Sequence, residues 1–139
     1  MFKFAVFSFL LLMSLTSSAC SCGRNLKEQV GEADRIIVAK VVSARYQSGT
    51  NENSFPHVQA NMAVIRLLKG KAAENVVVET SLPGNGCGVS MTIGQTYIIF
   101  LRKDTQYIGM CDGSHELLGF EERTMPDEIL ALVRTLPKK

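Results

Sequence analysis

The sequence lacks the short motifs that identify the common enzyme classes. It contains no G-x-S-x-G, no phosphate-binding G-x-x-x-x-G-K and no H-E-x-x-H segment, and it has only two histidines. We interpret His57 and His115 as surface residues, and Ser90 and Ser114 have no base partner in the pattern. The sequence therefore predicts a protein that is not an enzyme and that holds no cofactor.

Charge of one sign is not in excess either. The chain has 15 Lys and Arg against 13 Asp and Glu, a formal net charge of +2. Proteins that bind nucleic acid usually cluster their basic residues in a patch, and segments that bind a membrane surface are polybasic. The sequence has no such run. It therefore argues against nucleic acid as a partner and favours a protein partner.

A hydrophobic run long enough to cross a membrane is also missing. The longest apolar stretch, Phe4 to Met13, is much shorter than the roughly 20 residues that a transmembrane helix needs. Lys3 precedes it and the small residues Ser17 to Ala19 follow it, which is the order of a cleaved export signal. We therefore expect residues 1–19 to be a cleaved signal peptide and residues 20–139 to form one exported domain.

A cysteine directly after the expected cleavage site allows a second interpretation. Bacterial lipoproteins acylate the amine of such a first cysteine, and their signals usually carry leucine three residues before it. Here that position is Ser17, so we expect Cys20 to keep a free α-amine. The expected location is secreted, or the periplasm or envelope of a Gram-negative bacterium, with no membrane attachment unless Cys20 is lipidated.

Cysteine is scarce but even in number. Cys20, Cys22, Cys87 and Cys111 all follow the expected signal, and an even count in an exported chain predicts disulfides. Cys20 and Cys22 are too close to pair with each other comfortably, so each should reach either Cys87 or Cys111. The rival is a four-cysteine zinc site. Structural zinc sites favour closely spaced ligand pairs, and Cys87 and Cys111 are far apart.

Apolar patterning predicts strands between two terminal helices. Asn25 is a candidate N-cap for a short first helix, and the last helix is expected after Thr124 and Pro126. β-Branched and alternating segments predict five strands between them. The expected strands are 35–46, 58–64, 76–81, 96–102 and 105–111, the last two forming a hairpin that turns at Lys103-Asp104. This pattern predicts an all-β domain, one small antiparallel barrel or sandwich with short flanking helices. The five-stranded OB-fold barrel is the natural candidate among these architectures.

Five segments, taken in order, carry a resemblance to a known family. They are "CSC" at the expected mature start, "EADRIIVAKVVSARY", "LLKG", "CGVSMTIGQTYIIFL" and "CDG". From Cys20 to about Leu118 the chain resembles the N-terminal domain of the tissue inhibitors of metalloproteinases and the wider netrin-like module. In size it is similar to the short single-domain relatives from bacteria and invertebrates.

The resemblance implies the disulfide pairing and the activity. It implies Cys20 paired with Cys87 and Cys22 paired with Cys111, in a monomeric inhibitor of a zinc metalloproteinase. The amine nitrogen and carbonyl oxygen of the first cysteine, here Cys20, would bind the catalytic zinc of the target protease. The next side chain, here Ser21, would enter the specificity pocket of that protease.

The resemblance also implies a contact surface made of two segments. The expected protease-binding residues are Cys20, Ser21, Cys22, Gly23, Pro83, Gly84, Asn85, Gly86, Gly88 and Val89. The alternative for 82–88 is a plain connection between strands that holds a cysteine. The chain departs from the family pattern at Gly23-Arg24, where an apolar residue and proline are usual, and in its small Ser21. The alternative function is therefore a netrin-like protein-binding module of the envelope or extracellular space that does not inhibit a protease.

Overall fold

The structure is a computed structural model that describes residues 20–49, 55–71, 73–82 and 86–137. The expected signal peptide, residues 1–19, lies outside the described residues. So do Pro83, Gly84 and Asn85 of the expected contact surface.

Strands dominate the described chain, as the patterning predicts. The elements are α1 (Leu26–Glu32), β1 (Arg35–Gln47), β2 (His57–Lys69), β3 (Asn75–Ser81), β4 (Thr96–Leu101), β5 (Tyr107–Ile108), a 3₁₀ turn (Met110–Asp112), β6 (His115–Glu116) and α2 (Glu121–Thr135). In the described residues neither helix has the length and apolar character needed to cross a membrane.

The first helix begins where the sequence predicts. The Asn25 side chain accepts a hydrogen bond from the Glu28 backbone nitrogen at 3.0 Å, so it satisfies one of the free amides of the first turn. Val30 and Ala33 are buried on the face that packs against the sheet. The predicted N-cap and the apolar face of α1 are both confirmed.

One sheet of six strands contains every strand of the described chain. Its order is β5-β3-β2-β1-β4-β6. Neighbours are antiparallel except β3 and β5, which are parallel. The expectation of five exclusively antiparallel strands therefore differs from the structure, because β6 is added at one edge and β5 runs parallel to its neighbour.

The predicted hairpin of residues 96–102 and 105–111 is wrong. β4 pairs with β1 and β6, whereas β5 pairs with β3 at the other edge of the sheet. β4 is buried along almost its whole length, so it needs cover on both faces and lies beside the central strand β1. Asp104 adopts a left-handed backbone conformation, φ 58°, within the link that leads the chain away from β4.

The short link from β4 to β5 requires the sheet to curl. Three strands separate β4 from β5 in the sheet order, yet only residues 102–106 connect them. A flat sheet with strands about 4.8 Å apart would put them roughly 19 Å from each other, close to the limit of the link. The two strands instead lie in contact. The sheet is therefore a curled half-barrel with an inner and an outer face.

Both faces of the curled sheet carry a core. The inner face is filled by Ile37, Ala39, Val41, Ala60, Met62, Val76, Val78, Val89, Tyr97, Ile99, Leu101 and Ile108. On the outer face, α1 and α2 cover Ile36, Val38, Leu68, Ile98, Phe100 and Leu117, to which they add Val30, Ala33 and Ile129. β1 and β4 contribute to both cores, which explains why their sequences are continuously apolar rather than alternating.

The last helix begins five residues before the proline that was expected near its start. The Phe120 carbonyl accepts from the backbone nitrogens of Arg123 and Thr124, at 3.1 and 3.3 Å, which closes a turn ahead of Pro126. Pro126 has no N–H to donate to the Glu122 carbonyl. Glu122 is exposed, so water can hydrogen-bond to its carbonyl and the helix continues through Pro126.

Two isoleucines test the assignment of the inner core. Ile37→Ala should lower the free energy of unfolding by about 2–5 kcal/mol, because it opens a cavity where the side chain is 1% exposed. Ile65→Ala is the matched control on β2, where the side chain is 60% exposed, and should cost less than about 1 kcal/mol. Urea denaturation followed by circular dichroism measures both. Equal losses would contradict the inward orientation of Ile37.

Candidate functional site

The segment Cys20 to Arg24 lies exposed across one end of the sheet and is held there covalently. One disulfide joins Cys20 to Cys87 with the two Cα atoms 5.7 Å apart, and the other joins Cys22 to Cys111 at 5.0 Å. This is the pairing that the resemblance implied. All five residues of the segment are exposed even though both cysteines are bonded.

The two anchoring segments are themselves bonded to each other. The Met110 backbone nitrogen donates to the Cys87 carbonyl at 2.8 Å, so the loop after β3 lies against the 3₁₀ turn after β5. The Gln29 side chain donates to the Cys111 carbonyl at 3.4 Å, which adds α1 to the same support. The loop after β3, the 3₁₀ turn and α1 therefore meet at the segment Cys20 to Arg24, which we call the N-terminal segment.

Close backbone approach at this end depends on one glycine. A Cβ at Gly88 would lie 2.2 Å from the Ser81 carbonyl oxygen, far inside contact distance. The Val89 backbone nitrogen donates a hydrogen bond to the Thr80 side-chain oxygen at 2.8 Å, and the Val89 side chain packs in the inner core. This packing fixes the path of the chain from Cys87 into the core.

A chain of ion pairs runs beside the segment. Arg24 pairs with Glu32 at 2.9 Å, Arg102 pairs with the same carboxylate at 3.1 Å, and Arg102 also reaches Asp112 at 3.0 Å. These side chains are a quarter to a half exposed, so each pair contributes less than about 1 kcal/mol. Together they join the N-terminal segment to α1, to the β4–β5 link and to the 3₁₀ turn.

Sequence reasoning missed this ion-pair chain. Arg24 stood out only as a departure from the family pattern. The other members of the ion-pair chain, Glu32, Arg102 and Asp112, lie 8, 78 and 88 positions after Arg24, and no periodic pattern relates such positions. Only the fold brings them together.

The structure groups six of the ten expected contact residues. Cys20 to Gly23 lie together, and the disulfide places Gly86 and Gly88 beside them through Cys87. Val89 differs from the others, because its side chain is 5% exposed and packs in the inner core. Contact of these residues with a protease stays a prediction.

The other residues considered in the sequence have mainly structural roles. Ser114 is fully buried and accepts from the Phe100 backbone nitrogen at 2.9 Å. His115 is half-buried, and its Nδ1 donates to the Gly113 carbonyl at 2.8 Å. His57 is half-buried at the start of β2, and Ser90 is exposed with its carbonyl accepting from the Tyr97 hydroxyl. Both histidines are thus less exposed than the sequence indicates.

The main-chain atoms of Cys20 are the chemically available groups of this site. Neither its nitrogen nor its carbonyl oxygen has a hydrogen-bond partner among the described residues. If Cys20 is the first residue, these two atoms can bind one cation in a five-membered chelate ring. The part of the chain that the structure describes contains no group of three or more His, Cys, Asp and Glu side chains that could hold a metal of its own.

Comparison with known proteins adds no family. No protein-family model matches the chain, and no curated protein matches it significantly.

The disulfides can be tested by mapping and by removal. Non-reducing peptide mapping should recover Cys20 linked to Cys87 and Cys22 linked to Cys111. Replacing Cys20 and Cys87 together by serine should lower the free energy of unfolding by about 4 kcal/mol, because the 67-residue separation is no longer bridged in the unfolded chain. A peptide linking Cys20 to Cys111, or unchanged stability of the variant, would contradict the pairing.

The close approach at Gly88 gives a separate test. Gly88→Ala should lower the free energy of unfolding by about 3 kcal/mol, because the new Cβ collides with backbone rather than with a movable side chain. Gly23→Ala is the matched control, since its Cβ would meet no described atom within 4 Å, and it should change stability by no more than about 0.5 kcal/mol. Thermal or urea unfolding of both variants measures the difference, and equal effects would contradict the packing at Gly88.

Proposed function

We propose that this chain, after removal of residues 1–19, is an exported inhibitor of a zinc metalloproteinase. The inhibitor inserts its first residues into the protease cleft, with the amine nitrogen and carbonyl oxygen of Cys20 as ligands of the protease's zinc. It is not an enzyme, holds no cofactor of its own and acts as a monomer. The proposal includes membership of the family of tissue inhibitors of metalloproteinases or the wider netrin-like module.

The observation that carries the proposal is that two disulfides attach an exposed segment, Cys20 to Arg24, to the rest of the fold. A disulfide holds the segment at Cys20 and another holds it at Cys22, while all residues from Cys20 to Arg24 remain exposed. These two disulfides keep a short segment on the outside of the described fold. Such a rigid, protruding segment suits insertion into a cleft.

The chemistry of Cys20 suits a zinc with one open position. Catalytic zinc in metalloproteinases has three protein ligands and leaves the fourth position for water or substrate. Ordinary α-amines have pKa values of about 7.7–8.0, so an amine loses its proton at small cost near neutral pH. The deprotonated nitrogen and the Cys20 carbonyl oxygen can then bind the same zinc ion, which closes a five-membered chelate ring. Neither atom is hydrogen-bonded to another described residue, so zinc binding breaks no such hydrogen bond.

Rigidity of the segment lowers the cost of binding. Ordering a flexible segment at an interface consumes part of the binding energy. The two disulfides already restrict Cys20 to Cys22, and the Arg24–Glu32 pair supports the chain just beyond them. This pair lies where the related family usually has proline. Ser21, whose side chain is small and exposed, would enter the specificity pocket of the protease.

The barrel type is part of the same proposal. We assign the curled sheet to the OB-type, five-stranded Greek-key barrels, with β6 as an addition at its edge. The support is that β4 and β5 lie in contact although they occupy distant positions in the sheet order. Their approach curls the sheet around the inner core, as such a barrel would require.

One added residue tests the mechanism. Extending the mature chain by an alanine before Cys20 turns the Cys20 amine into an amide, a far weaker ligand, and adds bulk at the floor of the cleft. Inhibition of a panel of zinc metalloproteinases should weaken by several powers of ten, at about 1.4 kcal/mol for each factor of ten. Acetylating the amine of the native chain should weaken inhibition similarly. Inhibition constants for the native, extended and acetylated forms measure the effect.

Two controls make the result interpretable. An alanine added after Lys139 changes the length equally and should leave inhibition unchanged, and circular dichroism checks the folding of every form. Equal inhibition by the native and N-extended forms would end the chelation mechanism. Binding without inhibition would instead support the non-inhibitory protein-binding module, and a lipid on Cys20 found by mass spectrometry would exclude chelation altogether.

A further inference from the structure

A cavity on the outer face of the sheet has no part in the proposed inhibition. Its volume is about 490 Å³, within the range of about 300–1,000 Å³ that is usual for small-ligand pockets. Its walls include Phe55, Pro56, His57, Glu79, Ser81 and Tyr107. We call this cavity the outer cleft.

Strand pairing explains why these side chains share one face. His57 lies opposite Ser81 across the β2–β3 pair, and Tyr107 lies opposite Glu79 across the β3–β5 pair. Thr80, between Glu79 and Ser81, points inward and is buried. Because alternate residues of a strand face opposite sides, Glu79 and Ser81 both point outward. The outer cleft is therefore built on regular strands, with Phe55 and Pro56 at its rim.

The Glu79 carboxylate is the charged hydrogen-bond acceptor among the lining residues of the cleft. His57 Nδ1 lies 3.0 Å from the Phe55 carbonyl oxygen, and because a carbonyl only accepts, Nδ1 carries the proton. The other ring nitrogen, Nε2, lies 3.9 Å from Glu79 Oε1. The Gln59 side chain donates to the same oxygen at 3.0 Å and supports the carboxylate from the side. A ligand in this cleft can therefore donate hydrogen bonds to the Glu79 carboxylate.

Two aromatic rings add to this preference. Phe55 is 85% exposed and Tyr107 is 46% exposed, and Tyr107 is oriented by a hydrogen bond between its hydroxyl and that of Ser81. The faces of such rings attract cations. Arg45 donates a hydrogen bond to Gln59 Oε1 at 2.9 Å, and Gln59 in turn donates to Glu79. Arg45 is not among the residues that line the cleft. A carboxylate, an imidazole ring and two aromatic rings thus surround one space.

We propose that the outer cleft binds an organic cation, the guanidinium or ammonium group of an alkyl chain such as an arginine or lysine side chain. Glu79 accepts hydrogen bonds from the cation, and the rings of Phe55 and Tyr107 contact its alkyl chain and its charged face. This site uses neither the Cys20 amine nor the N-terminal segment. It can therefore be present whether or not the chain is an inhibitor.

A pair of capped amino acids tests the charge requirement. The probes are N-acetyl-arginine methylamide and its uncharged isostere N-acetyl-citrulline methylamide, titrated into the purified, disulfide-bonded, nitrogen-15-labelled protein. With the arginine probe, amide shifts in nuclear magnetic resonance spectra should be confined to the strand ends around His57, Ser81 and Tyr107, with saturable millimolar or tighter binding. The citrulline probe should bind at least about tenfold more weakly. Equal binding, or no saturable shifts at the strand ends, would overturn the proposal.

Two variant pairs locate the site. Glu79→Gln keeps an acceptor for Gln59 and should weaken arginine binding about tenfold, whereas Glu128→Gln, an exposed position on α2, should leave it unchanged. Tyr107→Ala should weaken it severalfold, whereas Tyr107→Phe retains the ring and should stay within about twofold. Unchanged affinity of Glu79→Gln, or equal losses for the two Tyr107 variants, would contradict the assigned contacts. The N-terminal alanine extension should leave this binding unaffected.

Discussion

The parallel pairing of β3 with β5 is the constraint on which the rest of the structure depends. Parallel strands send the chain out of a sheet in the same direction, so the segments that follow Ser81 and Ile108 leave at one end. Cys87 and Cys111 lie on these two segments, and the bond from Met110 to the Cys87 carbonyl holds them together. If β5 ran antiparallel to β3, the chain after β5 would leave at the other end of the sheet and carry Cys111 away from Cys22.

Burial on both faces makes this arrangement stable. β1 and β4 hold apolar side chains in the inner core and in the core beneath the helices, so neither strand can move without opening both. Tyr97 is fully buried and yet satisfied, since its hydroxyl donates to the Ser90 carbonyl at 2.8 Å and accepts from the Thr92 backbone nitrogen at 2.9 Å. A rigid sheet of this kind can carry exposed functional groups on its periphery at little cost to its core.

The two candidate sites use the same strand pair in different ways. The N-terminal segment depends on where the chain goes after β3 and β5, whereas the outer cleft depends on which side chains those strands point outward. Ser81 connects them, because its carbonyl packs against Gly88 and its hydroxyl bonds to Tyr107. Their proposed chemistry is separate, since main-chain atoms of Cys20 are proposed to bind a metal, whereas the outer cleft is proposed to bind an organic cation through a carboxylate and aromatic rings.

Local pattern determined much of this protein, and long-range packing decided the rest. Four features could be predicted from the sequence: Asn25 at the helix start, β1 from Arg35, the alternation at Ala60 and Met62, and the presence of disulfides. The first three reflect local conformational preferences and burial, and the last follows from the even number of cysteines. The partner of β5, the inward turn of Val89, the Arg24–Glu32–Arg102 chain and the outer cleft were not. Periodicity reports which face of a segment is buried but not which strand it pairs with, and only the curled sheet, closed by its short link, settles that.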